Sequence, residues 1–263
     1  MKSLLAVIFL FVASSTSAQN ISSPSNFQFE YEMFLQVDFK KREAYLQKIG
    51  KKPDAYEKAI SFIKGSVHAA NVIDKLNLTN QTYSVNSTAS LTTALNIALS
   101  GQQLKKNSEG KNTKTGLITD FYSERRGKSP SISTSFNSKT KKVEFYKART
   151  LVSSNPYVSS LDILNIAYNF IDKKLPEKSF SFFITDGKSL KKYTMNRAEV
   201  WNFPFNGNNI QAVRFVKATS PSDPVSLEIW YSITNHIPMR YVIGLSDKYG
   251  ATIKAELKSY KKL

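Results

Sequence analysis

The chain has no cysteine in 263 residues. That excludes disulfides as a source of stability, thiolate nucleophiles and every zinc site that needs a cysteine ligand. It also removes the lipid attachment that a cysteine behind an export signal would allow. Histidine is nearly as scarce, with only His68 and His236. A Ser-His-Asp arrangement needs one of them as base, yet no Gly-x-Ser-x-Gly elbow surrounds any serine. His236 sits in an Asn-His-Ile-Pro stretch, where a polar turn residue is the simpler role. No His-x-x-x-His pair exists, so no metal or other cofactor is expected. The Gly-Lys pairs in "GKSP" and "GKSL" lack the first glycine of a phosphate loop, because Tyr122 and Phe182 stand in its place.

Acidic residues are outnumbered, 20 against 37 Lys and Arg, for a formal net charge of +17. Such a field attracts polyanions. The lysines are dispersed, which describes a solvated surface better than one dedicated anion site. Paired carboxylates could still support hydrolysis. Asp120 and Glu124 share a parity, but Arg125 and Arg126 lie beside them and ion pairing is the plainer use.

Long apolar runs are also missing, except at the start. In "MKSLLAVIFLFVASSTSAQN", Lys2 precedes an apolar Leu4–Val12 stretch and a small-residue Ser-x-Ala ending at Ala18. That order reads as a secretory signal peptide over 1–18; the stretch falls short of the roughly 20 residues a membrane helix needs. Removing Lys2 with it leaves 17 − 1 = +16. The expected setting is the periplasm, soluble and not lipid-anchored, where nucleic acid is no partner and anionic envelope surfaces are. The remainder, 19–263, reads as one β-rich domain, with 40–64 as a candidate helical insertion.

What the chain does have is period-two alternation. "FQFEYEMFLQVDF" places Phe27, Phe29, Tyr31, Met33, Leu35, Val37 and Phe39 on one face, and only Phe34 breaks the pattern. From Pro224 to Tyr260, apolar residues keep odd numbers through two turns, from Val225 to Leu257. This predicts three antiparallel strands with one continuous apolar face, since a one-residue slip would expose all of it. Further strands are expected within 66–100, at "LITDFYSERR", after Pro130, at "KKVEFYKAR", and at "SFSFFIT", "SLKKYTM" and "IQAVRFVKA". An Asp186-Gly187 turn joins the two runs on either side of it. Gly101–Gly116, rich in Lys, Asn and Gly, reads as a loop or hairpin turn. "SSLDILNIAYNFIDKKL" reads as a helix, with Ser159 and Asp162 in capping-box spacing, a wide apolar arc from Leu161 to Ile171 and Lys173 and Lys174 at its C-terminal end.

The segments "FEYEMFLQVDF", "GLITDFYSERRGKSPSISTSFN", "LDILNIAYNFI" and "LEIWYSITNHIPMRYVI…GATIKAEL" together resemble the bacterial exported-protein family called domain of unknown function 3108. Tyr122, Arg126, Pro130, Asp162, Trp230 and Pro238 are the positions that align. The resemblance implies a mainly β (β-rich α+β) fold, a long curved antiparallel sheet forming an incomplete β-barrel wrapped around one or two helices, like that of periplasmic lipoprotein carriers. It assigns no activity. The expected function is non-enzymatic binding of a lipid or other amphipathic ligand; the alternatives are a structural envelope component with a filled core and, more remotely, a hydrolase. Aromatics and a neighbouring cation supply the candidate ligand contacts, Tyr122, Arg126, Trp201 and Trp230.

Overall fold

A computed structural model describes residues 25–52, 65–92, 103–218, 223, 225–245 and 250–263. The N-terminal segment, including the expected signal peptide, and the second half of the expected 40–64 insertion lie outside the described residues.

Fifteen strands form a single sheet in the order β8-β7-β6-β5-β4-β3-β2-β1-β15-β14-β13-β12-β11-β10-β9. Nearly all neighbours in sequence are neighbours in space, as successive hairpins dictate. β1 (Ser25–Val37) lies at the centre, between β2 (Ser66–Leu78) and β15 (Ala251–Lys262). Its alternation is realised: Phe27, Phe29 and Tyr31 are buried. Phe34, the residue out of phase, sits where the register with β2 slips. Its ring packs against His68 at 5.5 Å and lies under the Lys254 ammonium at 4.9 Å. The break in the pattern is therefore a bulge.

α1 (Phe39–Lys48) follows directly. Asp38 starts it by accepting a hydrogen bond from the Lys41 amide at 3.1 Å. Leu46 is its buried residue.

β3 (Thr82–Leu91), β4 (Leu104–Thr113) and β5 (Gly116–Arg126) continue one half of the sheet. The expected loop or hairpin turn at 101–116 is corrected here: the turn is only Lys114–Thr115, and "LKKNSEGKNT" is a full strand, paired on both sides. Its sequence has no apolar alternation because its inward positions must be small. Ser108 meets a buried polar cluster. Gly110 sits where β5 carries an extra residue, and the carbonyl of Ile118 occupies the space any Cβ would need. Composition marked a loop where close backbone approach demanded glycine.

β6 (Ile132–Asn137), β7 (Lys142–Lys147) and β8 (Thr150–Pro156) extend past β5 as a flap. β8 pairs only with β7, and all its residues are exposed. At the other edge, β9 (Ser160–Asp162) pairs in parallel with β10 (Ser179–Thr185), which leads into β11 (Leu190–Phe205), β12 (Asn208–Lys217), β13 (Ser226–Ser232) and β14 (Pro238–Gly244). The three-strand ending forms as the parity predicts, with Leu227, Ile229, Tyr231, Met239, Ala255 and Leu257 buried. Ile233 is the exception, exposed in the turn. His236 occupies that turn with φ 56, the polar turn role its context suggests.

The expected helix over 159–175 is the second correction. Ser160–Asp162 is a strand, and only Asn165–Tyr168 forms a short 3-10 helix. Asp162 does not close a capping box with Ser159; its Oδ1 accepts from the amides of Leu164 and Asn165 at 2.9 Å each, the local competition by which Asp favours turns. Lys173 and Lys174 consequently sit beyond an irregular turn, with Asp172 at φ 57 between it and them. The wide apolar arc has its cause in full enclosure. Leu161, Leu164, Ile166, Ala167, Tyr168, Phe170, Ile171 and Leu175 are all buried. The sheet curls around this plug: Tyr168 packs on Phe29 at 5.1 Å, and Phe170 on Tyr231 at 5.5 Å and Phe180 at 4.9 Å.

Candidate functional site

A sheet that curls this far brings β9 against β5, yet the two are not hydrogen-bonded as strands. The barrel is closed by side chains. Asp162, fully buried, is the latch. Its Oδ2 accepts from Ser108 Oγ at 2.5 Å and Thr119 Oγ1 at 3.0 Å, while its Oδ1 holds the two plug amides. Asn165 completes the cluster, donating from Nδ2 to Tyr83 OH at 2.5 Å and Thr119 Oγ1 at 2.9 Å. Burial pushes the Asp162 carboxyl above its usual range, against the four hydrogen bonds that favour its charge. A little further along, Asn169 Oδ1 accepts from the Leu117 amide at 2.7 Å. Gly116 is required there, since a Cβ would come within 2.5 Å of Asn169 Oδ1.

Beside this latch the seam stays open as a groove of about 710 Å³. One wall is the β4–β5 turn and Leu117; the other is β10, with Phe180 and Phe182; the floor is Leu161, Phe170 and Leu175 from the plug. The groove adjoins a recess of about 530 Å³ at the open end, and the two share Thr113, Lys114 and Lys174. The recess adds Lys173 and Asn112. Lys174 pairs with Glu177 at 2.7 Å, Lys114 is exposed, and burial lowers the Lys173 pKa, partly offset by Asp172. Asn112 donates to the Thr79 carbonyl at 2.6 Å, but its own buried Oδ1 has no partner. An apolar slot thus opens into a recess bordered by three lysines and Asp172.

A second buried acid, Asp74, accepts a short hydrogen bond from Tyr168 OH, and its Oδ1 has no partner. Burial raises its pKa, opposed by Ser87 and Tyr168. It ties the plug to β2.

The four candidate contacts are scattered. Tyr122 is fully buried and donates to Glu124 Oε2 at 3.1 Å; burial first, and then the Glu124 charge, raise its pKa. Arg126 Nε meets Glu124 Oε1 at 2.6 Å, so Glu124 forms an ion pair and does not face Asp120. Trp230 points away from Ile229 and Tyr231, covered by the guanidiniums of Arg214 at 5.1 Å and Arg240 at 5.3 Å and edge-on to Phe203 at 6.0 Å. Trp201 is half-exposed on β11. None lines the seam groove. The groove residues were missed because Phe180 and Phe182 read as ordinary strand core, and Lys114 as part of a loop. His68 places Nε2 3.2 Å from the Ala70 carbonyl. Among the described residues no group of His, Asp and Glu could hold a metal ion, and no helix is long and apolar enough to cross a membrane.

Comparison with solved structures supplies a fold relative. A beta-barrel-like protein of the domain of unknown function DUF1849 from Brucella abortus superimposes with a TM-score of 0.50 at 8% identity, over 91% of this chain and 98% of that one. The fold is β-barrel-like. A Vibrio parahaemolyticus chain described as an outer membrane lipoprotein-sorting protein domain matches with a TM-score of only 0.25 at 10% identity, over 90% of this chain and 85% of that one. No family model matches the chain, and no curated protein does. The resemblance to the domain of unknown function 3108 therefore stands at the level of a barrel-like fold.

Proposed function

We propose that the protein is a non-enzymatic carrier of a single-chain amphipathic molecule with an anionic headgroup, held in the seam groove. The observation that carries this reading is the pairing of compartments: an apolar slot continuous with a recess bordered by Lys114, Lys173 and Lys174. The slot's volume falls within the roughly 300–1,000 Å³ common for small-molecule sites. The tail lies along Phe170, Phe180 and Phe182. The headgroup meets the lysines. The setting proposed is the bacterial periplasm, in keeping with the signal-like N-terminus and the resemblance to exported proteins.

The test is titration of delipidated protein with a fluorescent fatty acid and with lysophosphatidylglycerol. Saturable uptake is expected, weakened at least tenfold by Phe182→Asp, and weakened by Lys114→Glu for the anionic probes more than for a neutral monoacylglycerol. No saturable uptake, with no lipid in native mass spectrometry, would overturn it. The filled interior favours a second reading, an envelope scaffold with a protein partner. In that case all acyl probes stay unbound and the intact protein copurifies with one partner at fixed stoichiometry.

A further inference from the structure

The outer face of the flap holds another depression, unrelated to the seam. It measures about 760 Å³ and runs over β3 to β7. Strand register fixes its layout in three cross-strand rows. In the first, Lys105 lies opposite Arg125, and Arg149 joins them from the β7–β8 turn, next to the Ala148 amide that bonds the Ser131 carbonyl. In the second, Asn107, Ser123 and Ser133 are successive partners. In the third, Phe121 lies opposite Ser135; Tyr146 stands across from Ser133 as the far wall.

This is an unusual surface for a strand face. Serine repeats at Ser131, Ser133 and Ser135, so the floor is low, while Phe121 and Tyr146 are half-buried walls. Lys105, Arg125 and Arg149 form no ion pair or hydrogen bond among the described residues. Glu124 also lines the depression but is buried and held by Tyr122 and Arg126; Glu109, opposite Phe121, and Glu144, which accepts from Tyr146 OH at 2.8 Å, lie at the other end. The trough therefore carries its exposed cations at one end, Tyr146 midway, and Phe121 with Glu109 and Glu144 at the other. The β7–β8 turn holds Ala148 at φ 49 and Arg149 at φ 69, a left-handed pair that Asn-Gly would adopt with less strain.

We propose that this trough binds an acidic polysaccharide chain, with a carboxylated or sulfated sugar at the Lys105–Arg125–Arg149 end. Hydroxyl and amide side chains on the floor suit sugar hydroxyls. Planar aromatic walls suit the apolar faces of sugar rings. Three cations without partners suit an anionic substituent. A lipid surface is less suited, because the cations border a recess and do not project as a plane.

The test uses the full chain and three probes: a polygalacturonate octasaccharide, a neutral dextran oligosaccharide of similar length, and phosphatidylglycerol vesicles. K105Q/R125Q/R149Q is compared with K188Q/K192Q/K261Q, an equal change of charge elsewhere, and with Tyr146→Ala. Melting curves verify that each folds. The expected result is saturable octasaccharide binding, at least tenfold weaker in the trough triple, less than twofold weaker in the control triple, and severalfold weaker in Tyr146→Ala. Dextran should bind at least tenfold more weakly than the octasaccharide. The proposal is overturned if the octasaccharide does not bind, if both triples weaken it equally, or if the trough triple acts on vesicle binding alone.

Discussion

Asp162 shows how much one side chain can organise. Its four donors come from β4, β5 and the plug, so it joins the paired β4–β5 strands to a plug that no strand ladder connects to them. Asp162→Ala leaves those donors buried without an acceptor, and each unsatisfied group costs about 1–3 kcal/mol. A loss of more than about 3 kcal/mol is expected in urea unfolding, whereas Lys174→Ala, removing half of the exposed pair with Glu177, should cost far less. Asp74 supplies the pH signature. Its folded pKa lies above the ordinary value because of burial, so the stability it contributes is full below the unfolded pKa, about 3.9, and is lost as pH rises through the folded one. Asp74→Asn is neutral at every pH. Its stability relative to wild type should therefore improve between about pH 4 and pH 8, measured by thermal melts; parallel curves would contradict the raised pKa. Neither role was legible in the sequence. Asp162 sat in capping-box spacing, and only its tertiary partners reveal a latch.

At the scale of elements, what could be read was whatever alternates against a single core. β1 and the β13–β14–β15 ending follow parity, and Phe34 marked its own bulge. Two segments were misread for opposite reasons. The plug is apolar on every side because it is enclosed on every side, and over a short span that pattern is shared by helices and buried irregular chain. β4 lacks apolar alternation because beyond Leu104 its inward positions include Ser108, in the polar cluster, and Gly110, against the Ile118 carbonyl. Hydrogen exchange separates strand from loop here: amides of 105–111 should be protected as strongly as those of β5, and exchange at loop rates would refute β4. Gly110→Val should disrupt the β4–β5 pairing, lowering stability by more than about 2 kcal/mol in urea unfolding, since nothing can move away from a backbone carbonyl.

The whole molecule is a curved sheet closed on its own plug, and the consequence for function is where space remains. The interior that an empty carrier would use is occupied by Leu164, Ile166, Tyr168 and Ile171; room survives at the seam, where side chains replace a ladder. The fold class was legible because strands and turns dominate the sequence. The seam was not, because it depends on how far the sheet curls, and curvature is set by bulges such as those at Met33, Asp120 and Arg197. The most direct test is paramagnetic broadening of backbone amide signals by a spin-labelled fatty acid added to delipidated protein. The predicted result is broadening concentrated at 116–118, 169–175 and 179–182. Broadening centred on Tyr31, Val72 and Tyr241, or spread evenly over the surface, would contradict a plugged barrel that binds at its seam.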